Sequence, residues 1–185
     1  MASTLKVNTI QGASNTATSI KTNGGTDALT IDTSGIVLLP QRPQFKVQRT
    51  SNTDMGSSAV NQKIVGFDDV STSGTINVGG FWSTANQRAT APVTGMYHFE
   101  FHGYTLAGTT GQIGIGLYVN GTNTIGRDFR LNYDESGYTS VNFCSSMYLT
   151  ANDYIEFYFI QQSGNGTLHP SSGQYYGGVA GYLIG

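Results

Sequence analysis

Residues 91–102 read Ala91-Pro92-Val93-Thr94-Gly95-Met96-Tyr97-His98-Phe99-Glu100-Phe101-His102. Pro92 fixes one backbone dihedral and Gly95 accepts conformations closed to other residues, so Pro-x-x-Gly reads as a corner. Behind the corner Tyr97, Phe99 and Phe101 alternate with Met96, His98, Glu100 and His102. A period of two with aromatic rings on one side predicts a strand whose aromatic face turns to a core. The far end of the chain, Val179-Ala180-Gly181-Tyr182-Leu183-Ile184, predicts a terminal apolar strand. Between them, Leu149-Thr150-Ala151-Asn152-Asp153-Tyr154-Ile155-Glu156-Phe157 reads as one strand ending, a turn, and the next strand beginning.

Composition points the same way. A chain of 185 residues with 25 Gly, 11 Tyr and 9 Phe, of which only 11% are charged, is rich in turn and strand formers. No window sustains a 3.6-residue period, so almost no helix is expected. A net charge of −2 without a Lys/Arg cluster argues against nucleic acid as a partner. No apolar run approaches ~18 residues, so no membrane insertion is expected. The opening Met1-Ala2-Ser3-Thr4-Leu5-Lys6 lacks the apolar core of a secretory signal. Cys144 is the single cysteine and leaves no internal disulfide, in keeping with folding in a cytoplasm.

Strands are expected at 45–50, 63–67, 75–81, 87–90, 96–104, 113–119, 124–131, 138–149, 154–160 and 175–184, with a polar segment containing Trp82. Asn120-Gly121 is the preferred pair for a tight type I′ hairpin. Short strands at this spacing with turn chemistry between them indicate a sandwich or jelly roll.

These segments carry a family resemblance. The Pro-x-x-Gly-x-Tyr-x-Phe strand at 92–99, the Leu-x-x-Asn-Asp turn at 149–153 and the final Leu183-Ile184 resemble the C1q-like (C1q/TNF-type) domain over residues 43–185. The resemblance implies an antiparallel jelly-roll β-sandwich that assembles as a homotrimer. Residues 1–42 have another character: Leu5-Lys6-Val7 through Ile10, then Leu29-Thr30-Ile31-Asp32-Thr33-Ser34-Gly35-Ile36-Val37, similar to the leaders of bacteriophage tail-fibre and virion-fibre proteins. Val7, Ile10, Ile20, Leu29, Ile31 and 36–39 are apolar islands in a polar chain, each too small to offset its ordering entropy alone. The segment is expected to be an extended N-terminal stem or anchor, ended by the Pro40-Gln41-Arg42-Pro43 hinge and bound to other virion proteins.

Residues 154–160 suggest assembly. Ile155, Phe157 and Phe159 occupy one face, yet Tyr154, Tyr158 and Ile160 make the other face apolar as well, where a solvated strand should alternate with polar residues. Burial of this strand beneath a loop and contact with neighbouring subunits are both open. The resemblance favours the second, which would place Met96, His98, Tyr154, Tyr158 and Ile160 at a threefold interface.

Candidates for chemistry are few. His98 and His102 share a strand face with Glu100 between them, but four strand residues separate them by ~13 Å, too far to share a metal within one subunit. Three copies of one of them could meet on a threefold axis. Cys144, embedded in a strand, is expected to be a small buried apolar residue. Gly114-Ile115-Gly116 lacks the third glycine of a phosphate loop. Asp68-Asp69 and Asp134-Glu135 read as solvated loop acids; the C1q-like resemblance, some of whose members bind calcium, implies that a Ca²⁺ would sit at one of them. No cofactor is expected otherwise. Asn120-Gly121-Thr122 and Asn165-Gly166-Thr167 read as turns.

In the resembled fold both termini lie at the base. Counting hairpins back from the last strand then makes 162–174, 133–137 and 106–111 apical and 150–152 and 120–121 basal. Apical Tyr133, Asp134, Glu135, Leu168 and His169 are therefore the expected receptor contacts, suited to a glycan or protein on a host surface. The expected function is a non-enzymatic bacteriophage virion protein, a trimeric tail or head fibre for host attachment. A capsid decoration (cement) trimer and a secreted C1q-like binding protein are the other readings.

Overall fold

The computed structural model describes residues 17–21, 24–50, 53–54, 60–70, 74–105, 110–134, 139–161, 167–168 and 177–185. The chain divides into two compact units, Met1–Arg42 and Pro43–Gly185. In the first, β1 (Thr18–Lys21), β2 (Asp27–Ile31) and β3 (Val37–Leu38) form a three-stranded antiparallel sheet.

The second unit contains β4 (Gln44–Gln48), β5 (Thr53–Asp54), β6 (Val60–Lys63), β7 (Ile76–Val78), β8 (Trp82–Ser83), β9 (Arg88–Thr90) and β10 (Gly95–Thr105). It continues with β11 (Thr110–Val119), β12 (Thr122–Asp134), β13 (Thr139–Leu149), β14 (Tyr154–Gln161), β15 (Thr167–Leu168) and β16 (Gly178–Leu183). No helix occurs among the described residues. The first sheet runs β13-β10-β16-β4-β7, with β15 and β5 extending the far end of β10. The second runs β12-β11-β14, whose other edge is shared by β6 and β9, with β8 beyond. β10 and β13 lie in one sheet while β11 and β12, between them in sequence, lie in the other. Every pairing is antiparallel, and the unit is a two-sheet jelly-roll sandwich.

Alternation decides what fills the space between the sheets. Phe45 and Val47 of β4, Tyr97, Phe99 and Phe101 of β10 and Val179 of β16 face Ile113, Ile115 and Leu117 of β11 and Ile155, Phe157 and Phe159 of β14. The rings pack edge-on, tilted or stacked, with Phe45 5.0 Å from Phe81 and Phe101 6.3 Å from Phe157. Such pairs contribute about 0.5–1.5 kcal/mol each beyond the area they bury.

Several sequence expectations are corrected here. Trp82 belongs to the core and not to a polar segment: it is 3% exposed, stacks on Phe45 and donates its indole N–H to the Phe67 carbonyl at 3.2 Å. The Asn77 side chain holds the Trp82 backbone from both sides, a tie that no periodicity announces. The strand expected at 63–67 is instead Val60–Lys63, with Ile64 and Phe67 buried beyond its end. The strand expected at 124–131 extends to Thr122–Asp134. Asn120 and Gly121 have φ of 51° and 73°, the paired positive values of a type I′ turn. Cys144 is exposed, because β13 turns its odd-numbered residues to the core.

Gly181 makes room at the centre of the first sheet. A β-carbon there would lie 2.6 Å from the Phe45 ring and 2.8 Å from that of Phe99. Gly181→Ala should therefore overpack the core and lower stability by about 1–3 kcal/mol. Chemical denaturation checks this: a midpoint lowered at unchanged slope is the expected outcome, against an unchanged midpoint for Gly35→Ala in the first unit if that unit melts separately.

Candidate functional site

The ends of the sandwich differ. At one end the chain enters and leaves: Leu183 N–H donates to the Pro43 carbonyl at 3.0 Å, and Met96 N–H to the Gly185 carbonyl at 2.9 Å. The Pro92–Gly95 corner sits here, held by the Tyr97 hydroxyl donating to the Val93 carbonyl at 2.6 Å. Burial holds that phenol above its ordinary range, and the hydrogen bond to Val93 acts in the opposite direction. Asp153 ties three turns together. Its carboxylate accepts from the Asn120 amide and from Thr150 N–H, both at 2.8 Å, while its own carbonyl accepts from Ala91 N–H. Asn120 in turn accepts from Tyr154 N–H at 3.0 Å, and Thr94 accepts from Ala151 N–H at 2.9 Å. The Asn120 amide, followed by the Thr150 backbone, holds the Asp153 carboxyl below the usual carboxylate range.

The opposite end is where strands stop for the other connections. Thr105 pairs with Thr139, Thr110 with Asp134, Ile113 with Gln161 and His102 with Gly178. The connections at 106–109, 135–138 and 162–166 and the chain after Gln48 all leave from this end. The expected loops are shorter than the sequence suggested: Tyr133 and Asp134 are the last residues of β12, paired with Gly111 and Thr110. Leu168 lies on β15, paired with Thr53 and Thr105, where an unpaired loop was expected. Tyr133, Asp134 and Leu168 are described by these strand positions; Glu135 and His169 lie outside the described residues. Sequence reasoning missed Thr53 and Asp54 at this end, since a two-residue strand has no period to detect.

The expected subunit contacts divide between two surfaces. Met96 and His98 lie on the outer face of the first sheet. Tyr148, opposite Met96, is 65% exposed, and Tyr182, Ile184 and Met96 are exposed beside it. His98 sits among them, its Nδ1 2.8 Å from Ser146 Oγ, its Nε2 3.3 Å from Glu100 and its ring 5.3 Å from that of Tyr182. A shallow groove of about 370 Å³ on this sheet is lined by His98, Glu100, His102, Asn142 and Cys144 among others. Partial burial, and then the Lys46 charge, hold the His102 imidazole below its ordinary range.

Tyr154, Tyr158 and Ile160 lie on the outer face of the second sheet, and the chain itself covers them. Tyr158 stacks on Tyr118 at 3.7 Å, the Arg88 guanidinium sits 4.2 Å over the Tyr154 ring, and Glu156 between them pairs with Lys63. Ile160 is only 4% exposed, and a β-carbon at Gly116 would lie 2.8 Å from its Cδ1. Contacts within the chain thus account for part of this apolar outer face, with Tyr154 and Tyr158 left half-buried. Tyr148 and Tyr182 went unassigned although each alternates with buried or half-buried neighbours, the signal that marks an outward aromatic.

Asp68 accepts from the Gln87 amide, while Asp69 forms a backbone bridge with Gln48. Among the described residues no three His, Cys, Asp or Glu side chains converge as a metal site.

No family model matches this chain, and no curated protein does. Among solved structures it is similar to the globular domain of zebrafish complement 1qA protein, at 16% identity and a TM-score of 0.54, over 78% of this chain and 98% of that one. The likeness establishes a C1q-like fold.

Asp153→Ala should lower stability at neutral pH. With the native carboxyl shifted down, its contribution is present above the unfolded value near 4 and is lost as pH falls through the lower native value. Thermal melts from pH 7 to pH 2 should show the gap between native and variant closing below about pH 4; a constant gap would contradict the assignment.

Proposed function

We propose that this chain is a structural, non-enzymatic protein of a bacteriophage particle: a homotrimeric tail or head fibre whose C1q-like domain recognises the host surface. The observation that carries the proposal is the polarity of the sandwich. Entry, exit and tied turns share one end, and the connections at 106–109, 135–138 and 162–166 share the other. A stiff base with connections gathered at the free end suits attachment below and recognition above, because binding residues concentrate on loops held by a rigid scaffold. The leader-like sequence of residues 1–42 supports the phage assignment and gives the attachment to other virion proteins. The exposed cluster of Met96, Tyr148, Tyr182 and Ile184 around His98 supports a trimer contact on the outer face of the first sheet. Tyr133, Asp134 and Leu168 stand on strands at the free end and, with Glu135 and His169, would meet a glycan or protein receptor. A capsid decoration trimer is the second reading, favoured by the exposed apolar residues Ile20 and 36–39, which could clamp a capsid surface.

Light scattering should give a particle of three times 19.7 kDa. The Tyr133→Ala, His169→Ala double variant should keep that mass while particles carrying it adsorb to host cells several-fold more slowly. A folded monomer at micromolar concentration, or unchanged adsorption, would count against the fibre.

A further inference from the structure

The outer face of the second sheet gathers charges and phenol rings where β6, β9, β11 and β14 run side by side. Tyr154 pairs with Thr90 and Ile155 with Ala89, so the alternation sets Arg88 beside Glu156. Lys63, across from Tyr158, reaches the same carboxylate from β6. Glu156 is buried, has a cation on either hand, and takes Lys63, whose ammonium also donates to the Asn86 carbonyl at 2.7 Å. The Arg88 guanidinium turns to Tyr154 instead and lies 4.2 Å over its ring. Among the described residues no carboxylate pairs with it, and its Nε–H is buried without an acceptor. Lys63 and Glu156 cancel, so Arg88 leaves this face locally positive in a chain whose net charge is −2.

We infer that this face binds the carboxylate of an acidic sugar and that Arg88 receives it. A guanidinium is a planar fork that meets a carboxylate through two parallel N–H···O bonds, a geometry closed to an ammonium. The Tyr154 ring already holds the guanidinium in place, so little side-chain freedom is lost on binding. The buried Nε–H is a donor still to be met, since buried polar groups in folded chains are almost always paired. A carboxylate bridging Nε and Nη would meet it after a small turn of the fork. The surroundings select the rest of the ligand. Tyr118, Tyr154 and Tyr158 share this face, and phenols offer ring surface to the C–H groups of a sugar and hydroxyls to its hydroxyls. The large exposed apolar side chains among the described residues all lie off β9, β11 and β14, so the face does not suit an apolar partner. The site stands on a sheet flank, apart from the contacts proposed at the free end, and it needs neither the particle nor a second copy of the chain.

Titration of the full-length chain with glucuronate tests this, followed by proton–nitrogen correlation NMR that includes the Arg88 Nε–H. Glucuronate should shift that signal and the backbone amides of 154–158 saturably. Glucose, the same ring without the carboxylate, should shift none of them, and acetate and inorganic phosphate should need about tenfold higher concentrations. Arg88→Lys keeps the charge and loses the fork, and should weaken glucuronate binding about tenfold or more while the rest of the spectrum stays that of the folded chain. No saturable shift in the native chain overturns the site, whatever the variant does. Acetate or phosphate binding as well as glucuronate overturns the sugar and leaves a bare anion contact. Unchanged binding by a folded Arg88→Lys, or shifts that spare the Arg88 Nε–H, overturns the role of Arg88.

Discussion

The aromatic row of β10 has to be covered, and most of the second unit follows from that. Tyr97, Phe99 and Phe101 project from one side of a single strand, and no one neighbouring strand can bury all three rings. The second sheet meets them with Ile155, Phe157 and Phe159, while Phe45, Phe81 and Trp82 close the side toward the chain entry. Gly181 leaves the gap in which the Phe45 and Phe99 rings approach the sheet. Truncating a ring such as Phe157 would remove about 3–5 kcal/mol, a large share of what a domain of this size holds. The same row fixes the corner before it, since the hydroxyl of Tyr97 reaches back to Val93.

A core that runs the whole length of β10 also gives the second unit two unlike ends. At the base, backbone bonds involving Pro43, Gly185 and Ala91 and the side chains of Asn120 and Asp153 occupy polar groups of the turns. Groups so occupied are poorly placed to bind anything else. Recognition is accordingly proposed for the opposite end, and assembly for the broad face on which Tyr148 and Tyr182 flank His98.

The core strands were legible in sequence because period two survives wherever one face is buried: 96–104, 113–119 and 154–160 all lie inside observed strands. The hairpin at Asn120-Gly121 was legible because only such pairs accept two positive φ values cheaply. Trp82 was misread since its burial depends on Asn77 and Phe67, contacts outside any local pattern. The partners that Tyr154, Tyr158 and Ile160 find within the chain were not legible for a related reason. Tyr118, Arg88 and the space over Gly116 that Ile160 fills lie on other strands and follow no local pattern. The exposure of Cys144 follows from register alone, and would have been readable once Met147 and Leu149 were recognised as the inward residues of its strand.

The measurement closest to the central claim is a cryo-electron microscopy reconstruction, at a resolution that traces strands, of the phage particle to which the chain is proposed to belong. The account predicts three copies about a threefold axis, with residues 1–42 against the particle and the β10–β13 end near Thr105 and Thr139 pointing into solvent. Particles lacking the chain, or that end buried against a capsid or tail surface, would contradict it.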